Sequence, residues 1–281
     1  MPLKLDGKAL LQQIKERLTE QVKPFKRAPH VVVFLIGSNP GSQIYVRSKK
    51  QHAKDVGVDL TIRFFDAPPS QADLIHQIQD LNKDPTVDGI FIQLPLPSPL
   101  DAMALINTIT PTKDVDGLTA VNLGRLMQSP QTDTYLKPCT PQGCLQLIHQ
   151  WRPNLSGLQA LVIGRSVLVG KPMAQLLLAE GCTVIQAHSQ TQDLQKLCQN
   201  ADILVSATGQ PGLITSEDIK PGACLIDVGI ISEKGHVTGD INYTPTLLQK
   251  AAAYSPVPGG VGPTTIANLL QNSVKAYLLN T

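Results

Sequence analysis

The sequence is short of several things, and each shortage narrows the field. Charge is scarce and balanced. There are 24 Lys and Arg against 22 Asp and Glu in 281 residues, a net charge of +2, with 16% charged residues in all. So slight an excess of cations argues against a nucleic-acid-binding surface, though it leaves room for a local basic pocket. The five cysteines, Cys139, Cys144, Cys182, Cys198 and Cys224, are odd in number and include no C-x-x-C pair. They fit a reduced, intracellular chain in which each thiol is a small apolar filler. The six histidines fall singly, with no H-E-x-x-H or comparable spacing, so no metal site is expected. No apolar run approaches a bilayer span; the longest, around "VVVFLI", is far too short. The N-terminal "MPLKLDGKALLQQIKERLTEQVKPF" mixes Asp6, Glu16 and Glu20 with cations at helical spacing and lacks an apolar signal core. A cytoplasmic protein with no membrane partner is the expectation. Internal repeats and low-complexity segments are also missing.

What is present is a globular α/β pattern. Hydrophobic residues make up 42% of the chain, enough at this length for one large domain or two medium ones. "HVVVFLIG", His30 to Gly37, reads as a buried strand, "VDLTIRFF" as a second and "VDGIFIQLPLP" as a third running into a proline loop. Between them lie two helices. One opens at Asn39-Pro40, an N-cap with proline at the first helical position, and stops at Gly57. The other, "SQADLIHQIQDLN", puts Leu74, Ile75, Ile78 and Leu81 on one face. This β-α-β-α-β order predicts a parallel sheet whose ligands sit beyond the carboxyl ends of the strands, where Gln93 falls. After a "KPCTPQG" turn a second alternating series follows, with strands in "LQALVIGRS", "CTVIQAHS", "ADILVSATG" and "ACLIDVGI" and helices in "GKPMAQLLLAEG" and "TQDLQKLCQN". The last stretch, "PVPGGVGPTTIANLLQNSVKAYL", is a glycine turn and one long helix with no strand of its own, free to pack back on the first domain.

Two stretches carry chemistry. In "VIGRSVLVGKP", Gly164 and Gly170 stand between a strand and a helix, where backbone N–H groups can face a dinucleotide phosphate. The G-x-G-x-x-G match is imperfect, since Ser166 holds the middle position. NAD binders usually place a carboxylate about 20 residues on for the ribose 2′-OH. Here His188 and Ser189 stand at that strand end, and with Arg165 nearby they favour the 2′-phosphate of NADP. The second stretch is "GSQIYVRSKKQHAKDVG". It sets Tyr45 and Lys49 four residues apart, on one helical face. They are either a half-buried tyrosine beside a surface lysine, or a pair reaching one cleft. In the second case burial beside a neutral partner such as Gln93 lowers the lysine's proton affinity enough for it to shuttle a proton near neutral pH. In "TPTKDVDGLTAVNLGRL", Asp114 and Asp116 with Gly117 make a turn, or one carboxylate accepts the N–H groups of a heterocycle.

Taken together, "SQIYVRSK", "GIFIQLPLP", "KDVDGLTAVNLGRL", "PCTPQG", "GRSVLVGKPMA", "IDVGI" and "PVPGGVGPTTIANLL" resemble, in order and over most of the chain, the bifunctional methylenetetrahydrofolate dehydrogenase/methenyltetrahydrofolate cyclohydrolase family. The resemblance implies oxidation of 5,10-methylenetetrahydrofolate by NADP⁺ to the methenyl cation. Water then opens that cation to 10-formyltetrahydrofolate, a step of one-carbon metabolism that feeds purine biosynthesis. It implies Lys49 as the proton-handling residue and Tyr45 as the folate-stacking one. Gln93 would tune Lys49, Asp116 would bind the pterin, and Asp114 would be structural. The "PVPGGVGP" turn, with Pro258, Gly259 and Gly262, would approach the folate through its backbone. Gly164, Arg165, Ser166, Ser189, Ile230 and Thr265 match the family's NADP-contacting positions. The architecture implied is two three-layer α/β domains flanking a cleft, the second Rossmann-like. Residues 1–120 plus 263–281 would form a discontinuous folate-binding catalytic domain and 121–262 the NADP-binding domain, with a homodimer formed through the latter.

The chain departs from the family pattern at Thr264, where methionine is common, and at Asn242, where aspartate is usual. Gln210 fills a variable slot. Two other readings compete. Short-chain dehydrogenases also use Y-x-x-x-K, but there the pair follows the dinucleotide turn, whereas Tyr45 and Lys49 precede Gly164 by over a hundred residues. A non-catalytic folate or nucleotide binder would have no need of Lys49.

Overall fold

The computed structural model describes residues 1–233 and 236–281. In chain order the first elements are β1 (Leu3–Lys4), α1 (Gly7–Val22), β2 (His30–Ile36), α2 (Pro40–Asp55), β3 (Asp59–Phe65), α3 (Gln71–Lys83) and β4 (Gly89–Ile92). Three helices follow, α4 (Ala102–Thr108), α5 (Ala120–Gln128) and α6 (Cys139–Trp151). Then come β5 (Gln159–Ile163), α7 (Gly170–Ala179), β6 (Thr183–Ala187), α8 (Leu194–Asn200), β7 (Ile203–Ser206) and β8 (Cys224–Asp227). The chain ends with β9 (Ile231–Glu233), β10 (His236–Thr238), α9 (Pro245–Lys250), β11 (Ala253–Tyr254) and α10 (Val261–Asn280). No helix of the described residues is long and apolar enough to cross a membrane.

The chain groups into two compact units. One comprises Gln12–Arg125, Thr132–Cys139 and Ile266–Thr281. Its sheet is parallel, in the order β3-β2-β4, with Val33 paired to Ile62 on one side and to Phe91 on the other. The central strand β2 is buried from Val31 to Ile36, which is why it reads as an unbroken apolar run. The helix α2 starts where the sequence says it must. Asn39 accepts a hydrogen bond from the Ser42 N–H at 2.9 Å, and Pro40 has no N–H to leave unpaired. In α3 the expected face is buried at Leu74, Ile78 and Leu81, with Ile75 half-buried beside it. Each side chain of that size removed from water contributes about 1.5–3 kcal/mol.

The other unit comprises Met1–Leu11, Leu126–Gln131 and Thr140–Thr265. Its six strands lie in the order β1-β11-β8-β7-β5-β6, every pair parallel. Alternate residues serve opposite faces. Ala160, Val162, Ile203, Val205, Cys224 and Ile226 pack with Leu147 and Ile148 of α6 and Met173 and Leu177 of α7. Leu161, Ile163, Leu204 and Leu225 pack instead with Cys198 of α8 and Leu247 of α9. With both faces covered, this is a three-layer, Rossmann-like sandwich. An antiparallel pair, β9 and β10, extends from the end of β8.

Two details differ from the sequence reading. The N-terminal segment is not helical throughout: Leu3 and Lys4 form an edge strand paired with Ala253 and Tyr254. The "KPCTPQG" stretch is not a turn: after Lys137 and Pro138 it is helix, because α6 begins at Cys139. All five cysteines are buried, unpaired thiols.

Candidate active site

Helix α2 is mostly polar, and its buried stripe is Val46, Lys49 and Ala53. A lysine therefore occupies a position where the 3.6-residue period calls for an apolar side chain. Lys49 is only 4% exposed. Its ammonium donates to Gln93 Oε1 at 3.1 Å, and Nζ lies 4.7 Å from the Tyr45 ring centroid and 4.5 Å from that of Phe91. Gln93 is held in turn by its own amide, whose Nε2 donates to the Leu94 carbonyl at 2.7 Å, so the oxygen is the end that faces Lys49.

The electrostatics of this group run in two directions. Burial lowers the Lys49 pKa from its ordinary 10.5, while the negative charge of Asp116 works the other way. Burial raises the pKa of the half-buried Asp116, and Lys49 works against that, with Asp114 adding to the rise. The proton affinities of amine and carboxylate are thus driven toward each other. Tyr45, Lys49, Gln93 and Asp116 all belong to the unit built on β3-β2-β4. Phe91, the second ring beside Lys49, was not singled out in the sequence; it hides in the apolar run of β4.

Asp114 and Asp116 do different work although they are two residues apart. Asp114 is fully buried and accepts from the Gly117 N–H at 3.0 Å, the Thr119 N–H at 2.7 Å and Asn122 Nδ2 at 3.0 Å. It organises the turn, and Gly117 at φ +72° completes it.

In the other unit, a cavity of about 490 Å³ opens at the carboxyl ends of β5, β6 and β7. Gly164, Arg165 and Ser166 line it together with His188, Ser189 and Thr208. The glycines are there for close approach. A Cβ on Gly164, at φ +125°, would stand 2.5 Å from the Ala207 carbonyl oxygen, and one on Gly170 would stand 2.1 Å from the Gly164 carbonyl oxygen. Ser166 has a role the motif did not suggest. Its Oγ accepts from the Val169 N–H at 3.1 Å and the Gly170 N–H at 3.4 Å, so it caps the start of α7 itself. Those two amides are engaged within the turn, which leaves the exposed Arg165 guanidinium as the cationic group of the wall. His188 Nδ1 accepts from the Gln190 N–H at 3.2 Å, which leaves Nε2 to carry the ring proton. No carboxylate ends β6. The size, the cationic rim and the glycine-lined floor fit a dinucleotide.

The remaining expected residues lie elsewhere in the same unit. Ile230 is 63% exposed, and its Cδ1 lies 3.8 Å from where a Cβ on Gly262 would be. Pro258 is exposed and Gly259 takes φ +109°. This turn is braced by the start of α1: the Gly7 N–H donates to the Gly259 carbonyl at 3.0 Å, and a Cβ on Gly7 would meet the Gly260 carbonyl oxygen at 1.8 Å. Thr265 Oγ1 pairs with Thr140 Oγ1 at 3.1 Å and donates to the Val261 carbonyl at 3.3 Å. Neither Ile230 nor Thr265 lines the 490 Å³ cavity. Thr264, one of the departures from the family pattern, is fully buried and donates to the Val261 carbonyl at 2.8 Å.

Comparison with known proteins bears on both units. The family model for the tetrahydrofolate dehydrogenase/cyclohydrolase catalytic domain matches residues 5–116, and that for the NAD(P)-binding domain of the same enzymes matches residues 138–281. The bifunctional protein FolD of Rhodospirillum rubrum is 44% identical over 284 residues, covering 97% of this chain and 96% of that one. Among solved structures, the bifunctional FolD methylenetetrahydrofolate dehydrogenase/cyclohydrolase of Campylobacter jejuni superposes with a TM-score of 0.94 at 38% identity, covering 99% of each chain. The Trypanosoma brucei N5,N10-methylenetetrahydrofolate dehydrogenase-cyclohydrolase, solved with NADP cofactor and an inhibitor, gives 0.93 at 33% identity, covering 99% of this chain and 97% of its own. Similarity of this extent, along the whole length and in both units, makes the chain a member of the tetrahydrofolate dehydrogenase/cyclohydrolase family.

Proposed function

We propose that this enzyme oxidises 5,10-methylenetetrahydrofolate with NADP⁺ and hydrolyses the resulting methenyl cation to 10-formyltetrahydrofolate, with Lys49 as its proton-handling group. The observation that carries the reading is the setting of Lys49: a buried amine beside one neutral amide oxygen and two ring faces, with the Asp116 carboxylate, whose own ionisation burial resists, opposing the loss of its proton. Such an amine gives up its proton more readily than an exposed lysine, which suits it to proton transfer.

When bound, the dinucleotide supplies a hydride acceptor; everything else is the work of the chain. Tyr45 stacks on the folate and orients it. Asp116 accepts N–H donors of the pterin, a charge-assisted contact that fixes which carbon faces the reaction. Pro258, Gly259 and Gly262 let backbone approach the substrate. In the hydrolytic half the neutral Lys49 amine takes the proton that water gives up as its oxygen bonds to the cationic carbon. The Lys49 ammonium then returns that proton to N5 as the carbon–nitrogen bond to N5 breaks, the adduct's hydroxyl gives up its own proton to solvent, and the formyl group is left on N10. Arg165 and Ser189, with His188 beside them, hold the 2′-phosphate. Gly164 and Ser166 shape the turn, and Ile230 and Thr265 complete the cofactor contacts. Residues 1–120 plus 263–281 would then act as the folate-binding catalytic domain and 121–262 as the NADP-binding domain. The enzyme works in the cytoplasm as a homodimer joined through the cofactor unit, where Leu178 of α7 and Ile185 of the edge strand β6 are exposed.

The test is Lys49→Met. Folate binding should persist while cyclohydrolase turnover falls by about three orders of magnitude, the scale of general acid–base catalysis. Turnover that persists would remove Lys49 from the chemistry. A protein that still binds both ligands but shows neither activity even as wild type would be a binder and not this enzyme.

A further inference from the structure

We propose that Asn272, in the middle of α10, is a positioning residue for Asp116: its side-chain amide staples together the two chain segments that fix the aspartate's backbone. The proposal rests on the reading of Asp116 as the pterin-binding carboxylate. It adds a residue that no motif pointed to, 157 positions away in sequence from the carbonyl it holds.

The geometry is specific. Asn272 is 4% exposed. Its Nδ2 donates to the Val115 carbonyl at 2.8 Å and to the Lys137 carbonyl at 2.8 Å, and it lies 3.4 Å from Cys139 Sγ. Cys139 completes the clamp. Its Sγ donates to the same Val115 carbonyl at 3.2 Å, and its N–H donates to the Asp116 carbonyl at 3.3 Å. The carbonyls on both sides of the Asp116 Cα are therefore held from outside the loop. The next residue allows no slack either. A Cβ on Gly117 would stand 2.3 Å from the Lys137 carbonyl carbon, so the loop backbone rests directly on the 137–138 segment. On the far side, Asp114 ties the loop to Thr119 and Asn122. Asp116 thus hangs between one anchor internal to the loop and one supplied by the last helix.

An amide has two N–H groups, and here each meets a carbonyl. Truncating it takes from the part-buried Lys137 carbonyl the donor it has here and frees the 115–117 segment to drift. Drift of a few tenths of an ångström matters, because Asp116 has two duties: it meets the substrate, and its charge acts on Lys49. Asp116 and Cys139 are the titratable groups that act on Lys49.

The experiment compares Asn272→Ala and Asn272→Ser with Ser273→Ala. Ser273 is the buried neighbour on the same helix, and its Oγ donates only within α10, to the Leu269 carbonyl at 2.7 Å. Expected for Asn272→Ala is a KM for methylenetetrahydrofolate raised about tenfold. Dinucleotide affinity, read by fluorescence titration, should stay within about twofold of wild type, the scatter ordinary for an uncoupled site. The pH limb of the cyclohydrolase rate should move to lower pH as the charge of Asp116 withdraws from Lys49. Asn272→Ser, which keeps one donor, should fall between, and Ser273→Ala should show neither change. If Asn272→Ala folds poorly, Asn272→Ser carries the same test. Loss of melting temperature with KM and pH limb as in wild type would show a merely structural residue and overturn the proposal. Asp116→Asn separates the two layers: if it leaves the folate KM unchanged, the underlying reading fails and the proposal with it. If it raises the KM while both Asn272 variants do not, the proposal alone falls.

Discussion

Replacing Gln93 by glutamate would change one atom's charge at a known distance from the Lys49 amine. Gln93 Oε1 lies 3.1 Å from Lys49 Nζ. A full negative charge there would attract the ammonium by roughly 5 kcal/mol at an effective dielectric constant of about 20. The new carboxylate would itself be desolvated, and that takes back part of the gain. A net of about 3 kcal/mol corresponds to about two pKa units at 1.36 kcal/mol per unit. Gln93→Glu should therefore favour the protonated form of Lys49 and move the rising limb of the cyclohydrolase pH–rate profile up by about two units, with lost rate recovered in part at higher pH. The assay is the decay of the methenyl absorbance at a series of pH values, corrected for uncatalysed hydrolysis in the same buffers. Gln93→Leu, which removes an acceptor of the ammonium without adding charge, should move the limb the other way. Opposite shifts from two substitutions at one site are hard to produce by general damage. A Gln93→Glu profile depressed equally at every pH, with its limb unmoved, would refute the reasoning that Lys49 works through its neutral form.

Other expectations follow from the same structure. Lys49→Met should be more stable than wild type at neutral pH, by a few degrees in Tm, since it removes a buried amine whose charged form is disfavoured. The advantage should shrink as the pH rises above the folded-state pKa of Lys49, and an unchanged or lowered Tm at pH 7 would count against the buried, poorly compensated amine described here. Ser189→Asp should turn cofactor preference from NADP toward NAD by placing a carboxylate at the end of β6. Equal ratios of kcat/KM for the two dinucleotides before and after would show that this edge does not meet the 2′-phosphate. Asp227, pushed by burial from 3.8 to about 6, gives a stability term of the opposite sign from an ordinary carboxylate. It is fully present below the unfolded pKa and lost as pH rises through about 6, a change of about 3 kcal/mol. The stability of wild type relative to Asp227→Asn should accordingly be greater at pH 4 than at pH 7, and a flat difference between those two pH values would contradict it.

The parts of the fold that were legible in the sequence are those where local and tertiary demands agree. The strands β2, β5, β7 and β8 are buried on both faces, so they read as apolar runs without any knowledge of their neighbours. The helix α2 announced its start through Asn39 and Pro40. The two-residue strand β1 had no such signal, because what makes Leu3 and Lys4 a strand is pairing with residues some 250 positions later. The site divides the same way. Tyr45, Lys49 and Gln93 come together as their spacing and strand-end position suggested. Phe91 and Asn272 could not be read off. One is an apolar residue in an apolar strand, and the other is a polar residue whose partners are set only by how α10 packs.

Burial and a lowered pKa would not by themselves have selected Lys49, and a second lysine shows why. Lys113 is also buried, at 6% exposure against 4%, and burial lowers its pKa too. Its ammonium, however, donates to the Leu81 carbonyl at 3.0 Å and the Asp84 carbonyl at 2.7 Å, at the C-terminal end of α3. There the helix-end carbonyls and the negative end of the helix dipole both favour a cation. The surroundings of Lys113 offset the burial of its charge with direct acceptors, and its removal should cost stability and leave the chemistry alone. Lys49 has one amide oxygen and two ring faces, with a carboxylate whose own ionisation burial resists. That compensation is incomplete. An amine whose charged form burial disfavours is unfavourable for folding and useful for moving a proton, and the contrast between the two lysines supports giving the proposed proton-handling role to Lys49 and not to Lys113.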